Sequence, residues 1–278
     1  MKVILEPRVV IVGQTIFNSH PEYDIPDDGT DAEKLGSFAA KGCYDSYGRD
    51  GRSNIENQKT IIEHAHGSVM EHAHVSFFIE GITRALSLEL NRHRMFSISQ
   101  RSTRYTKEED AAIVLEPYYA QLYEKYGFQE INKKNQFGWE PTKNIPTNDN
   151  DKNEISLVSS FLLDSYSSVH AYIEQVILLE LLNPLKLKGF ELRKWARGKA
   201  RNILPHALET RGTWTMNHRG LRWFIEARSD RHAEPEIRRL SNEIINVVRP
   251  LAPTYYEDFQ VNAVVDDIPE WKPLHRKI

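Results

Sequence analysis

Cysteine is almost missing from this chain, with Cys43 alone among 278 residues. An intramolecular disulfide is thereby excluded, and so is a zinc site built from several thiolates. Cys43 sits in Lys41-Gly42-Cys43-Tyr44 with no neighbouring histidine to activate its thiol, although a base distant in sequence stays open. Long apolar runs are missing as well, since none approaches the roughly 18 residues that a membrane-spanning helix requires. The short apolar patch within Met1–Val12 lacks a signal-peptide cleavage pattern after it, so a cytoplasmic location is expected. There is no excess of positive charge either: 36 Lys and Arg stand against 39 Asp and Glu, a formal net charge of -3. That balance argues against a generic nucleic-acid or membrane-surface binder, while a local arginine cluster still suits a small anionic ligand.

What is present is ordinary globular material, 40% hydrophobic and 10% aromatic, with enough apolar residues for a core. Residues 3–12 are β-branched and read as an opening strand, and residues 31–41 read as a helix. A polar turn covers 48–53, a helix 55–66 ends at Gly67, and 75–79 reads as a strand. Thr83 is placed to cap a helix that runs to about His93. Residues 129–153, rich in Asn, Lys, Asp and Pro without apolar period, read as an exposed insertion. Further helices are expected over 155–182, 190–201, 219–228 and 235–248, with a turn at Leu204-Pro205-His206 and a strand over 210–216. No internal repeat or clear linker interrupts this order. One mixed α+β domain over 1–278, a β-sheet flanked by helices, is the expected α/β fold.

Charge is concentrated in one stretch. Arg84, Arg92, Arg94, Arg101 and Arg104 lie close together with His93, opposed only by Glu89. Guanidinium groups bind phosphate through paired, charge-assisted hydrogen bonds, and the hydroxyls of Ser102 and Thr103 can fill further phosphate oxygens. A solvated basic face is the plain alternative. On a helix Arg92 and Arg94 would stand about 200° apart, so the cluster works better if the helix ends near His93 and the chain turns.

The order of these residues resembles a known family. Arg92-His93-Arg94, seven residues, then Ser102 is the signature of the flavin-dependent thymidylate synthases, with Arg104 two residues later. Four further segments resemble that family in the same order: His66-Gly67-Ser68-Val69-Met70-Glu71-His72, Arg201-Asn202-Ile203-Leu204-Pro205, Trp214-Thr215-Met216-Asn217-His218-Arg219, and Arg228-Ser229-Asp230-Arg231-His232-Ala233. The resemblance implies a homotetramer with active sites shared between subunits. It implies transfer of a methylene group from methylenetetrahydrofolate to C5 of dUMP, with FAD as redox carrier and NADPH as reductant. No protein cysteine attacks the pyrimidine in that chemistry.

Roles follow by the same resemblance. Arg228 is the expected catalytic residue: arginine is effectively never deprotonated, so it acts by stabilising negative charge on the uracil. Its plain alternative is an arginine satisfying carbonyls at a helix C-terminus. The dUMP site would comprise Glu89, Arg92, Gln100, Arg101, Ser102, Thr103, Arg104, Arg201 and Arg228. The FAD site would comprise Cys43, His66, Ser68, Glu71, Arg92, His93, Arg94, Gln100, Asn217, His218, Arg219 and Trp223. Asn217 also suits an N-cap. No metal is expected.

Two departures stand out. Glu89 replaces the family's usual glutamine, and a carboxylate beside a phosphate repels it unless an arginine such as Arg92 neutralises it. Trp223 stands where the family usually has Asn or His. Three other readings stay open. His64-Ala65-His66 and His72-Ala73-His74 with Glu63 and Glu71 could bind a metal, although His-x-His diverges on a helix. The arginines with Phe96 and Tyr105 could bind RNA. A third reading is a related flavin enzyme acting on another pyrimidine nucleotide.

Overall fold

Buried and half-exposed side chains alternate through most of strand β3 (His74–Thr83), burying Val75, Phe77 and Ile79 while Ser76, Phe78 and Glu80 stay half-exposed. That period of two makes β3 a strand with one face to a core. In a computed structural model, the structure describes residues 3–48, 51–106, 112–115, 134–135, 138–139, 169–174 and 185–276. The chain divides into two compact units. One consists of residues 7–82, 86–100 and 211–278; the other of 1–6, 83–85 and 101–210.

The first unit carries the main sheet. Its four strands are ordered β2 (Arg8–Gln14), β3, β8 (Glu209–Asn217) and β4 (Ser97–Gln100), with β2 antiparallel to β3 and β4 antiparallel to β8. At Gly212 a Cβ would lie 2.4 Å from the Ser99 carbonyl oxygen, so only glycine lets β4 and β8 approach. The helices of this unit are α1 (Asp31–Cys43), α2 (Asn54–Glu63), α5 (His218–Arg228), α6 (Pro235–Val248) and the short α7 (Pro253–Tyr256). Phe77, Ile79, Trp214 and Met216 share one core with Leu221, Phe224, Ile237, Leu240, Ile244 and Tyr255. A hairpin of β9 (Phe259–Val265) and β10 (Ile268–Pro273) packs against α5 and α6.

Local chemistry starts these helices. Thr30 and Ser53 each make a capping box, with Glu33 and Glu56 respectively. Glu33 does more: its second carboxylate oxygen accepts from the Thr254 N–H at 2.8 Å, joining the start of α1 to α7. On α5 the buried Arg222 pairs through both terminal nitrogens with Asp258, at 2.6 and 2.9 Å, and also donates to the Tyr255 carbonyl.

The second unit pairs β1 (Val3–Ile4) in parallel with β5 (Ile113–Val114), and Ile113 bridges to Leu208. Two-residue strands β6 (Lys134–Asn135) and β7 (Gly138–Trp139) pair antiparallel. They are the described part of the expected polar insertion. Residues 169–174 are helical, as expected within 155–182; the rest of that expected helix lies outside the described residues. Helix α4 (Gly189–Ala200) buries Leu192 and Ala196, and its Arg197 pairs with Glu174 at 3.1 Å.

The mixed α+β character expected from the sequence holds, and helix α6 has the expected bounds. Several expectations are corrected. The opening strand is two strands, because Pro7 lacks the N–H that a continuous ladder would use. Helix α2 ends at Glu63, not at Gly67: Ala65 takes the left-handed position with φ 58°, and His66 N–H reaches the Ile61 carbonyl at 2.9 Å. This is a Schellman ending with alanine where glycine is usual. Thr83 ends β3 and stands immediately before the next helix, as expected, but that helix, α3, covers only Arg84–Leu90 and does not reach His93. The hairpin β9–β10 was not foreseen, because its turn is Asp266-Asp267, both at positive φ, without the glycine that advertises such turns. Arg238 donates to Asp266 at 3.0 Å and holds that turn.

The Arg222–Asp258 pair yields a test. Asp258→Ala strands a buried guanidinium and should cost about 3–5 kcal/mol of unfolding free energy. Chemical denaturation of the two proteins measures it.

Candidate active site

Helix α1, the Schellman ending of α2 and the short 3-10 helix Gly67–Glu71 bring distant residues together in the first unit. A cavity of about 370 Å³ is lined by Ala40, Cys43, Tyr44, Ile61, Ala65, His66, Gly67, Ser68, Val69 and Arg219. Four of these, Cys43, His66, Ser68 and Arg219, are sequence-expected flavin residues. Part of the lining is apolar (Ala40, Ile61, Ala65, Val69), and the rest includes a hydroxyl, an imidazole and a guanidinium. Such a mixture suits an aromatic ring joined to an anionic or hydroxylated tail. Arg219 is held by an ion pair with Glu71, which places Glu71 behind the lining as a partner of Arg219. Cys43 is the exposed last residue of α1.

Asn217 caps α5, its side-chain oxygen accepting from the Gly220 N–H at 2.8 Å. His218 does not face this cavity. Its ring is buried, its Nδ1 lies 2.8 Å from the Tyr256 hydroxyl, and it lines a separate cavity of about 340 Å³ with Gln14, Thr15, Asp31 and His74. Burial, with a smaller contribution from His74, pushes its pKa down to about 3. The apolar helix face it occupies explains this position: in an α-helix His218 shares a side with Leu221 and Ile225.

The Arg92-His93-Arg94 motif forms a turn after α3. The two arginines are exposed and flank His93, which is buried. The His93 ring packs edge-on against Phe96, Trp223 and Phe224, with centroids 6.4, 5.7 and 5.2 Å away. Its Nε2 lies 2.9 Å from the Arg228 Nε and its Nδ1 lies 2.9 Å from the Glu89 carbonyl oxygen. Burial first, and the Arg228 charge second, hold His93 below the ordinary histidine value. Trp223 is about half-exposed, with 49% of its surface accessible. Gln100 is bound at both ends of its amide, to Asn91 at 3.1 Å and Ser87 at 3.0 Å. The Glu89 carboxylate makes no ion pair with Arg92 among the described residues.

In the second unit the residues after Gln100 form a compact turn. The Ser102 hydroxyl accepts from the Arg104 N–H at 3.3 Å, and the Ser102 carbonyl accepts from Tyr105 N–H at 3.2 Å and the Thr106 hydroxyl at 2.9 Å. Thr103 is buried, whereas Arg104 and Arg201 are exposed. Arg101 pairs with Glu209 at 3.6 Å. Arg197 donates to the Tyr105 carbonyl at 2.8 Å, and Lys194 stands 5.5 Å above the Tyr105 ring, so α4 braces the turn and adds cations that the motif reading did not include. Tyr44 and Ala65 were also missed. Tyr44 adjoins Cys43 in sequence, but nothing local announces the positive φ of Ala65.

Among the described residues no three or more His, Cys, Asp or Glu side chains gather as a metal site. His64 instead bonds the Thr60 carbonyl of its own helix at 2.9 Å. Among them, too, no helix is long and apolar enough to cross a membrane.

A cavity lined by both apolar and polar groups, in a mixed α+β fold with an antiparallel sheet, suits a small-molecule ligand. Comparison with known proteins narrows this. Residues 27–254 match the family described as thymidylate synthase complementing protein, Thy1. The chain is 33% identical over 268 residues to a flavin-dependent thymidylate synthase of Mycolicibacterium gilvum, covering 93% of this chain and 92% of that one. It is 34% identical over 263 residues to the flavin-dependent thymidylate synthase of Mycobacterium tuberculosis, with 93% and 92% covered. Its fold is similar to the crystal structure of a UMP/dUMP methylase from Streptomyces cacaoi, with TM-score 0.61, 18% identity, and 92% and 96% of the two chains covered. The chain therefore belongs to the thymidylate synthase complementing protein family.

His218 gives this region a pH signature. It folds neutral, with a pKa near 3 against an ordinary 6.5 in the unfolded chain. The unfolded chain takes up the proton first on acidification, so this stability is complete above the ordinary value and declines as pH falls below it. The thermal midpoint should drop from about pH 7 to about pH 5, and His218→Gln should drop less over the same range.

Proposed function

We propose that this chain is a flavin-dependent thymidylate synthase, reductively methylating dUMP to dTMP with methylenetetrahydrofolate as carbon donor and NADPH as reductant. The observation that carries it is the cavity that Cys43, His66, Ser68 and Arg219, from three separate stretches of the sequence, line together. Its donor set fits FAD in kind: an apolar surface for a ring, and cationic and hydroxyl groups for a ribityl or phosphate portion. When bound, FAD supplies the redox and carbon-transfer chemistry; the protein's residues bind, orient and stabilise charge.

Arg219, fixed by Glu71, and Ser68 and His66 would hold the cofactor. Arg104 and Arg201 would supply cations for the nucleotide phosphate, with Arg101, Ser102 and Thr103 shaping the turn that carries Arg104. In the same proposal the enzyme is a homotetramer whose active sites are shared between subunits. Ser102 acts in binding, since the partner of its hydroxyl is a backbone N–H and not a base. Arg228 would face the uracil. As a permanent cation it stabilises the negative charge that develops as N3 ionises, and it transfers no proton itself.

Glu89, which has no arginine partner among the described residues, favours a second reading at the level of substrate, in which another pyrimidine nucleotide is preferred to dUMP. A carboxylate without an arginine partner disfavours a nearby phosphate, so Glu89→Gln should lower the KM for dUMP several-fold. Unchanged kinetics would remove Glu89 from substrate recognition.

Conversion of labelled dUMP to dTMP, with all co-substrates present, tests the main reading. Arg228→Ala should lower kcat by about 100- to 1000-fold, the usual loss for one oriented charge-stabilising group. Wild-type protein that makes no dTMP would overturn the proposal.

A further inference from the structure

Arginine Nε is always a donor, because the guanidinium keeps its proton at any ordinary pH. The His93 Nε2 that lies 2.9 Å from it must therefore be a lone pair, which leaves the ring proton on Nδ1. Nδ1 in turn lies 2.9 Å from the Glu89 carbonyl oxygen, a group that can only accept. Both ends of the ring select the same neutral tautomer. Three aromatic contacts, from Phe96, Trp223 and Phe224, fix the plane of the ring.

This arrangement uses one of the three nitrogens of Arg228. Among the described residues no partner occupies its terminal nitrogens, and no helix carbonyl accepts from it, although it ends α5. A guanidinium bound through Nε alone presents its four terminal N–H groups together as a planar fork.

We propose that neutral His93 is a positioning residue that holds Arg228 through Nε, so that the terminal fork is aimed at a ligand carbonyl or anion. This rests on the reading that Arg228 serves the pyrimidine, and it moves His93 from the flavin contacts, where the family motif put it, to the support of Arg228. The support is proton-sensitive. Protonated His93 would set an N–H against an N–H of a cation, and the bond must break. The groups facing the ring are the Arg228 cation from α5, the Glu89 carboxylate and the carbonyl groups of Glu89 and Leu90 from α3, and the three uncharged aromatic side chains. Burial and Arg228 oppose protonation and outweigh Glu89, so the bond persists at neutral pH and fails as pH falls through a value below 6.5.

Two arms test this. In the first, turnover of FAD-loaded enzyme is followed against pH. His93→Leu, which offers no acceptor, should lose about 100-fold in kcat, the usual penalty for a misplaced group, with the bound-flavin spectrum kept. His93→Gln can still accept from Nε; it should recover at least tenfold of that loss and lack the acid limb of the wild-type profile. The second arm needs no activity: nitrogen-15 NMR of histidine-labelled protein should show His93 as the Nδ1–H tautomer, and Arg228→Ala should raise its titration midpoint. A wild-type kcat in His93→Leu, an acid limb retained in His93→Gln, or an Nε2–H tautomer would each overturn the proposal. If the enzyme proves inactive on dUMP while the tautomer and the midpoint shift are found, the function fails and the positioning stands.

Discussion

A guanidinium taken out of water has to be paired, and the pairing of Arg222 governs much of the first unit. Its side chain is 5% exposed and meets the Asp258 carboxylate, itself 6% exposed, through two parallel hydrogen bonds. This ties the middle of α5 to the start of the β9–β10 hairpin, and the Phe259 ring lies 4.9 Å from the same guanidinium. With its middle fixed and Leu221, Phe224 and Ile225 buried, α5 cannot rotate. Its start then presents Arg219 to the cavity and its end presents Arg228 to His93. These arginines are nine residues apart, about half a turn of rotation, so they necessarily serve different partners.

The site shows a division of labour that follows from what the chain lacks. With Cys43 exposed and no nucleophile–base pair evident among the described residues, what the site offers is charge and shape. Arg219 is braced by Glu71, Arg228 by His93, Arg101 by Glu209, and Arg197 braces the turn that carries Arg104. In the first three cases a second group restrains a long cation, and in the fourth it restrains the backbone beside Arg104. Restraint of this kind lets a cation act without first giving up side-chain entropy when a ligand arrives.

Much of this was legible in the sequence where chemistry is local. Thr30 with Glu33 and Ser53 with Glu56 are spaced as capping boxes, and the apolar period of α6 gave its bounds from Pro235 to Val248. The motif residues Cys43, His66, Ser68 and Arg219 could be named together through family resemblance, though periodicity alone would not have joined them. What stayed hidden depended on backbone conformation or on tertiary partners. Ala65 and the pair Asp266-Asp267 take left-handed conformations that a glycine would have announced. Strand β4 is mostly exposed, so it lacks the alternation that marks a half-buried strand. His218 and His93 resemble ligand-binding histidines in sequence; only packing reveals that one bonds Tyr256 and the other Arg228.

The cavity between α1, the end of α2 and Arg219 is the proposed flavin site. The most direct measurement is the visible absorption spectrum of the protein after incubation with FAD and removal of unbound cofactor. A yellow protein with flavin equimolar to chain is expected. A protein that stays colourless after reconstitution would contradict it.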